Sequence, residues 1–257
     1  MLRLENIDKT YNVGLINETK VLEGFNLSVP KGQFVTVIGS NGSGKTTILN
    51  LICGTIFPNK GKIFLGGKDI TNMTEFRRAK HIGRVFQDTQ KGTSPNMTIL
   101  ENLSLADNKG RFYGLTPGVN RKRINAYKEM LAPLGLGLED KMNVLAGSLS
   151  GGQRQVLAMV MCTMADIDLL ILDEHTAALD PKTSELIIEL TNKIVREKGI
   201  TTMMVTHNLR HAVGYGDRLL MFHRGGLEMD LSGEARQNVD VDALLDKFNQ
   251  ISIESGN

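Results

Sequence analysis

An α/β fold with a parallel sheet is predicted, on three observations. An apolar run at 34–38 (Phe34, Val35, Thr36, Val37, Ile38) leads into a glycine-rich turn, then a helix-like run at 48–53 closed by Gly54. A second apolar run, 169–172, ends in the carboxylates Asp173 and Glu174; a helical pattern at about 182–198 and a third apolar run at 200–205 follow. Buried strands that recur after crossover helices belong to a parallel sheet. Third, strand patterning fades between 89 and 165, where helix formers dominate, so a helical subdomain is inserted into the sheet-forming core of 1–88 and 166–257.

The elements follow in order. Leu2 and Leu4, then Phe25, Leu27 and Val29, alternate as strands before Pro30, Lys31 and Gly32 close them. Tyr11 falls between, in a stretch read as a polar loop. Residues 61–65 read as a strand, Gly66 and Gly67 as a tight turn, and Thr74 as the N-cap of a helix over 75–81. A short strand is expected at 82–86, ending in Gln87 and Asp88. Within 89–165 the loops fall at 89–97, 107–120 and 135–148. Beyond Gly225 and Gly226, a short strand turn and one amphipathic helix at about 241–248 are expected.

Composition limits what such a fold can be used for. A chain of 257 residues with 41% hydrophobic content suits one large domain, or a core with a subdomain. A net charge of +2 argues against a broad polyanion-binding surface. Lys109, Arg111, Arg121, Lys122, Arg123 and Lys128 form a local basic patch, read as a solvated loop and helix face. Cys53 and Cys162, without a CxxC pair, read as reduced core thiols in a reducing cytosol. No apolar run approaches the roughly 18–20 residues of a membrane span. The first residues, with Arg3, Glu5 and Asp8, lack a signal-peptide core. A cytosol-facing soluble chain is expected.

The chemistry begins in the first turn. Gly39, Ser40, Asn41, Gly42, Ser43, Gly44, Lys45 and Thr46, followed by Thr47, satisfy the spacing GxxxxGK then Ser or Thr between a strand and a helix. Glycines let successive N–H groups curl around an anion, and the helix N-terminus adds unpaired donors. Lys45 can reach β- and γ-phosphates, and the Thr46 hydroxyl can ligate Mg2+. A nucleoside triphosphate is the implied ligand. Asp173, at the carboxyl end of a buried strand, would hold Mg2+, and Glu174 is placed to polarise an attacking water. Ser150, Gly151, Gly152 and Gln153 precede a second helical run and would form another anion-binding helix start. A simple N-cap is the alternative. One triphosphate does not need two such starts in one protomer. A symmetric dimer, in which Ser150 and its glycines meet the γ-phosphate held by the partner, resolves this.

With those residues in place, the chain resembles ABC-type ATPase subunits over nearly its whole length. Residues 39–46 resemble Walker A, Gln87 the Q-loop, LSGGQ at 149–153 the signature and LLILDE at 169–174 Walker B. Ala178, Leu179 and Asp180 match the D-loop, and His207 the H-switch. The resemblance implies a P-loop NTPase core with an N-terminal antiparallel β subdomain and the helical insert. It further implies that Tyr11 stacks on adenine, that Gln87 contacts Mg2+ or the attacking water, and that His207 bonds the γ-phosphate and helps hold the water beside Glu174. Asp180 joins the nucleotide-contacting set. Two departures stand out: His175 replaces the usual proline after the Walker B glutamate, and the helix after the signature lacks the arginines often found there.

Three classes of such ATPase are possible. Soluble members acting on nucleic acid or the ribosome resemble fused cassettes or cassettes split by coiled coils. A regulatory switch needs no complete hydrolytic set. An ATPase subunit separate from its membrane spans resembles those of binding-protein-dependent importers. The expectation is therefore an ATP- and Mg2+-dependent homodimeric ATPase at the cytoplasmic face of the membrane. It would serve permease subunits and an extracytoplasmic binding protein, with no nucleic acid. The stretches 85–88, 97–103 and 173–183 resemble the amino-acid branch, and an aromatic amino acid is the expected cargo.

Overall fold

The computed structural model describes residues 1–109 and 118–254, so Arg111 of the basic patch lies outside the described residues. The elements are β1 (Leu2–Tyr11), β2 (Thr19–Val29), β3 (Phe34–Gly39), α1 (Lys45–Cys53), β4 (Lys60–Leu65), β5 (Lys68–Asp69), α2 (Glu75–Arg78) and β6 (Ile82–Val85). Then come α3 (Ile99–Asp107), α4 (Ile124–Leu131), α5 (Gly151–Thr163), β7 (Leu169–Asp173), α6 (Pro181–Lys198) and β8 (Thr201–Val205). The chain continues with α7 (Leu209–Gly214), β9 (Arg218–His223), β10 (Gly226–Ser232), α8 (Gly233–Gln237) and α9 (Val241–Glu254). It gathers into two compact units, Met1–Ala79 with Gly199–Asn257, and Lys80–Lys198. The second unit thus takes in β6, β7 and α6 besides the helices of the 89–165 stretch.

In the first unit, β2-β1-β4-β5 form an antiparallel sheet with Leu2 opposite Val29 and Leu4 opposite Leu27. Period-2 alternation buries those four side chains on one face. Gly66 and Gly67, both at positive φ, turn β4 into β5. Tyr11 is not in a loop: it is the last residue of β1, paired with Thr19. β3 runs parallel to both β8 and β9, every one of its residues buried, and β10 closes that edge antiparallel. β9, α7 and α8 are additions to the sequence expectation; Leu219, Met221 and Ile38 join Ala212 and Leu244 in one core cluster.

α1 starts at Lys45 behind Gly44 (φ 100°) and stops at Gly54 (φ 81°), whose N–H bonds the Asn50 carbonyl at 2.9 Å. Its end is tied down by Arg78, which is 1% exposed. The guanidinium donates to Leu51 O (2.6 Å), Ile52 O (2.9 Å), Thr71 O (2.8 Å) and Met73 O (2.8 Å). The expected helix over 75–81 ends at Arg78. Arg78→Met would strip four carbonyls of a charged donor at once. Each such bond is worth ~1.5 kcal/mol or more, and two of the carbonyls are terminal groups of α1. A loss of about 3 kcal/mol is expected, read as a fall of roughly 6–12 °C in the thermal midpoint by circular dichroism.

In the second unit, β6 and β7 pair in parallel, with Val85 opposite Leu172. The helices enclose a core of Leu103, Tyr127, Leu131, Leu157 and Ile187. Thr98 caps α3 in a reciprocal box with Glu101. Among the described residues, no helix is long and apolar enough to cross a membrane, and both cysteines are free thiols.

Candidate functional site

The first unit holds the glycine-rich turn. Gly39 ends β3 where an added Cβ would meet Phe222 O at 2.3 Å, so no larger residue fits. Gly42 (φ 76°) and Gly44 take left-handed conformations that turn the chain back onto α1. Lys45 is only 7% exposed, and its ammonium donates to Gly39 O (2.7 Å) and Ser40 O (2.8 Å). The loop's own carbonyls hold the cation over the turn, with Ser43 Oγ at 3.5 Å. Ser40, Asn41 and Thr46 are exposed, whereas Ser43 and Thr47 are buried. The Tyr11 hydroxyl lies 3.4 Å from Thr47 Oγ1, and Lys9 sits over the Tyr11 ring at 5.2 Å, so β1 delivers the aromatic to the same helix start. His207 lies two residues past Val205, whose partner Val37 is two residues before Gly39; the parallel register brings both to one carboxyl edge. Thr206 N–H donates to Val37 O at 3.1 Å and secures that register.

Gly225 belongs to this neighbourhood without having been singled out for it. Its N–H donates to Ser43 O at 3.0 Å, and a Cβ there would meet Val21 O at 1.9 Å. A positive φ of 77° adds a second reason for glycine. The only sequence signal was a Gly-Gly pair, which any turn could explain.

The second unit holds the carboxylates. Asp173 is the last residue of β7 and half-buried; Leu172 faces Val85, so Asp173 and Gln87 emerge at the same strand ends. Arg84 on β6 donates to Asp173 Oδ2 at 2.6 Å. Sequence reasoning passed over Arg84, although a charge inside a short apolar strand requires a partner. Glu174 adopts φ 50°. A non-glycine residue in that region costs on the order of 1 kcal/mol or more, and such strain concentrates at functional positions. Its carbonyl accepts from Ala177 N–H at 2.9 Å, closing the turn that leads to Asp180. The Thr183 hydroxyl and N–H hold the Asp180 carboxyl below its ordinary range. His175 is buried, its Nε2 lying 3.2 Å from Thr191 Oγ1. Thr191 gives its hydrogen to Ile187 O at 2.7 Å, so His175 Nε2 is the donor and anchors the turn to α6.

Ser150 begins α5 in a capping box: its Oγ accepts from Gln153 N–H (3.2 Å) and Gln153 Oε1 accepts from Ser150 N–H (3.3 Å). Gln153 Nε2 donates to Leu136 O, so that side chain is committed within the unit. Gly152 has a packing reason for its size, since a Cβ would meet Thr183 Cγ2 at 2.4 Å. Among the described residues, no cluster of three His, Cys, Asp or Glu side chains forms a metal cage. Asp173 offers a carboxylate and Thr46 an exposed hydroxyl, oxygen ligands of the kind that Mg2+ takes while it keeps several waters.

A strand-turn-helix phosphate cradle, a strand-end Asp-Glu pair and a capped Ser-Gly-Gly helix start now stand together in one chain. The family profile described as "ABC transporter" matches residues 22–177, more than half of the chain. The chain belongs to the ABC transporter family. It is 46% identical over 248 residues to a tyrosine transport ATP-binding protein of Clostridioides difficile, covering 96% of this chain and 98% of that one. It is 34% identical over 211 residues to a thiamine import ATP-binding protein of Haemophilus influenzae, covering 82% and 93%. Its fold matches a dimeric ATP-binding cassette in a post-hydrolysis state bound to ADP and Pi, with a TM-score of 0.76, 32% identity and coverage of 90% and 98%. This ABC ATPase is an ATP-hydrolysing, ATP-binding cassette with the P-loop fold, and ABC ATPases of importer-type transporters are its relatives.

Proposed function

We propose that the chain drives a separate membrane permease for import of an amino acid, aromatic in class. The observation that carries this reading is the 46% identity, across 96% of the chain, with a tyrosine transport ATP-binding protein. Two copies would sandwich two ATP molecules head to tail, each bound by the 39–47 loop and Tyr11 of one protomer and by Ser150, Gly151, Gly152 and Gln153 of the other. Thr46, Gln87 and Asp173 would hold Mg2+, which when bound supplies charge neutralisation at the β- and γ-phosphate oxygens. Lys45 would turn its ammonium from its own loop carbonyls to the phosphates. Glu174 would polarise the attacking water, with His207 and Gln87 orienting it and Asp180 lining the dimer contact. Closure would pull the 89–165 segments together and switch the permease, with the ATPase resting peripherally at the cytoplasmic face.

The test is co-purification from detergent-solubilised source membranes, followed by reconstitution of the captured assembly in proteoliposomes. A multi-span permease in near-equal amount, a substrate-binding protein, and ATPase stimulated by L-tyrosine over L-leucine or thiamine are expected. Capture of ribosomes or nucleic acid alone would instead identify a soluble ABC-type ATPase. Stimulation by thiamine would move the cargo and leave the transporter reading intact.

A further inference from the structure

Arg84 is the one charged side chain in β6, and its surroundings account for it in detail. Its Nη2 reaches Asp173 Oδ2 at 2.6 Å, with the two side chains only 13% and 18% exposed. The guanidinium carbon sits 4.8 Å from the centroid of the Phe86 ring, which faces it from the residue before Gln87. Both neighbouring carbonyls of this strand end are taken by α5: Cys162 Sγ donates to Arg84 O (3.3 Å), and Gln155 Nε2 donates to Phe86 O (3.1 Å). Gln155 is 1% exposed, so this attachment is internal to the second unit. Arg84 therefore has a fixed main chain, a stacked side chain and the Asp173 carboxylate bound to its fork.

We propose that Arg84 is a resident counter-cation for Asp173 and competes with a divalent metal for that carboxylate, so that it sets the metal concentration at which the site loads. The inference rests on the proposed role of Asp173 in holding Mg2+. A charge-assisted bond of this length occupies lone pairs on one carboxylate oxygen. A second cation brought to the same group meets both that competition and the repulsion of the guanidinium, at low exposure where screening is weak. Without a metal, the arginine spares a half-buried carboxylate from standing uncompensated. By linkage, the arginine and the metal weaken each other's hold on the carboxylate by the same factor.

Mn2+ binding to the full chain, followed by the loss of the free-ion electron paramagnetic resonance signal in the presence of ADP, reads this directly. Arg84→Gln and Arg84→Met should each bind Mn2+ about tenfold more tightly than wild type, within the usual range of such couplings. Arg84→Lys, which keeps the charge, should stay near wild type. Asp173→Asn should weaken binding, and adding Arg84→Gln to it should tighten binding by well under the tenfold expected with Asp173 in place. Thermal midpoints by circular dichroism separate a lost fold from a lost competitor. If Asp173→Asn weakens binding while neither uncharged Arg84 variant tightens it, the competition is wrong and the metal reading stands. If Asp173→Asn leaves Mn2+ affinity unchanged, the metal reading falls and takes this inference with it.

Discussion

Glu174→Gln is expected to slow ATP hydrolysis by about 10²–10⁴-fold while ATP-loaded dimers accumulate. The substitution keeps the shape of a residue already held at φ 50° between the end of β7 and the turn closed by Ala177. What it removes is the ability to accept a proton from water. Nothing in the 39–47 loop changes, so nucleotide affinity should persist, and the step that empties the dimer should fail. Single-turnover release of labelled phosphate and multi-angle light scattering with ATP check the two halves separately. A variant that hydrolyses normally removes Glu174 from the chemistry. A variant that is inactive yet monomeric with ATP removes the sandwich.

Lys45→Ala should abolish measurable ATP binding, weakening it by about 10²-fold or more. The ammonium is nearly buried and is held 2.7 and 2.8 Å from Gly39 O and Ser40 O. With alanine there, those carbonyls lose their donor and the phosphates lose a charge-assisted partner in a weakly screened site. Isothermal titration with ATP reads the loss. A thermal midpoint within a few degrees of wild type would show that the fold survived, since the Gly39, Gly42 and Gly44 conformations do not depend on the lysine. Tight ATP binding by this variant would overturn the assignment of the loop.

The parts of the site that could be read from the chain alone are those in which local chemistry is sufficient. Gly39 to Thr47 is one such stretch, because the strand before it, the glycines within it and the helix after it are contiguous, and their spacing already dictates a phosphate cradle. Asp173 and Glu174 could be read for the same reason, as carboxylates at the end of a four-residue apolar run. Ser150 with Gln153 forms its capping box from residues three apart. Tyr11 was placed in a loop because the turn-rich residues after it hide the end of β1; its pairing with Thr19 comes from the partner strand. The helix expected over 75–81 ends at Arg78, whose side chain is committed to carbonyls of α1, a demand invisible in its own neighbours.

By itself, then, the sequence determined the class of fold, the ligand chemistry and the family, since each is written in short contiguous patterns whose backbone geometry follows from glycine, helix starts and alternation. Tertiary structure alone decided which charges meet. Arg84 announces that it needs a carboxylate, but only the pairing of β6 with β7 makes that carboxylate Asp173. His175 becomes an anchor because α6 presents Thr191 to it, and Gly225 becomes part of the phosphate loop because Ser43 offers it a carbonyl. Such contacts join residues 16 to 182 positions apart, and their partners are chosen by how strands and helices pack, which no local spacing encodes.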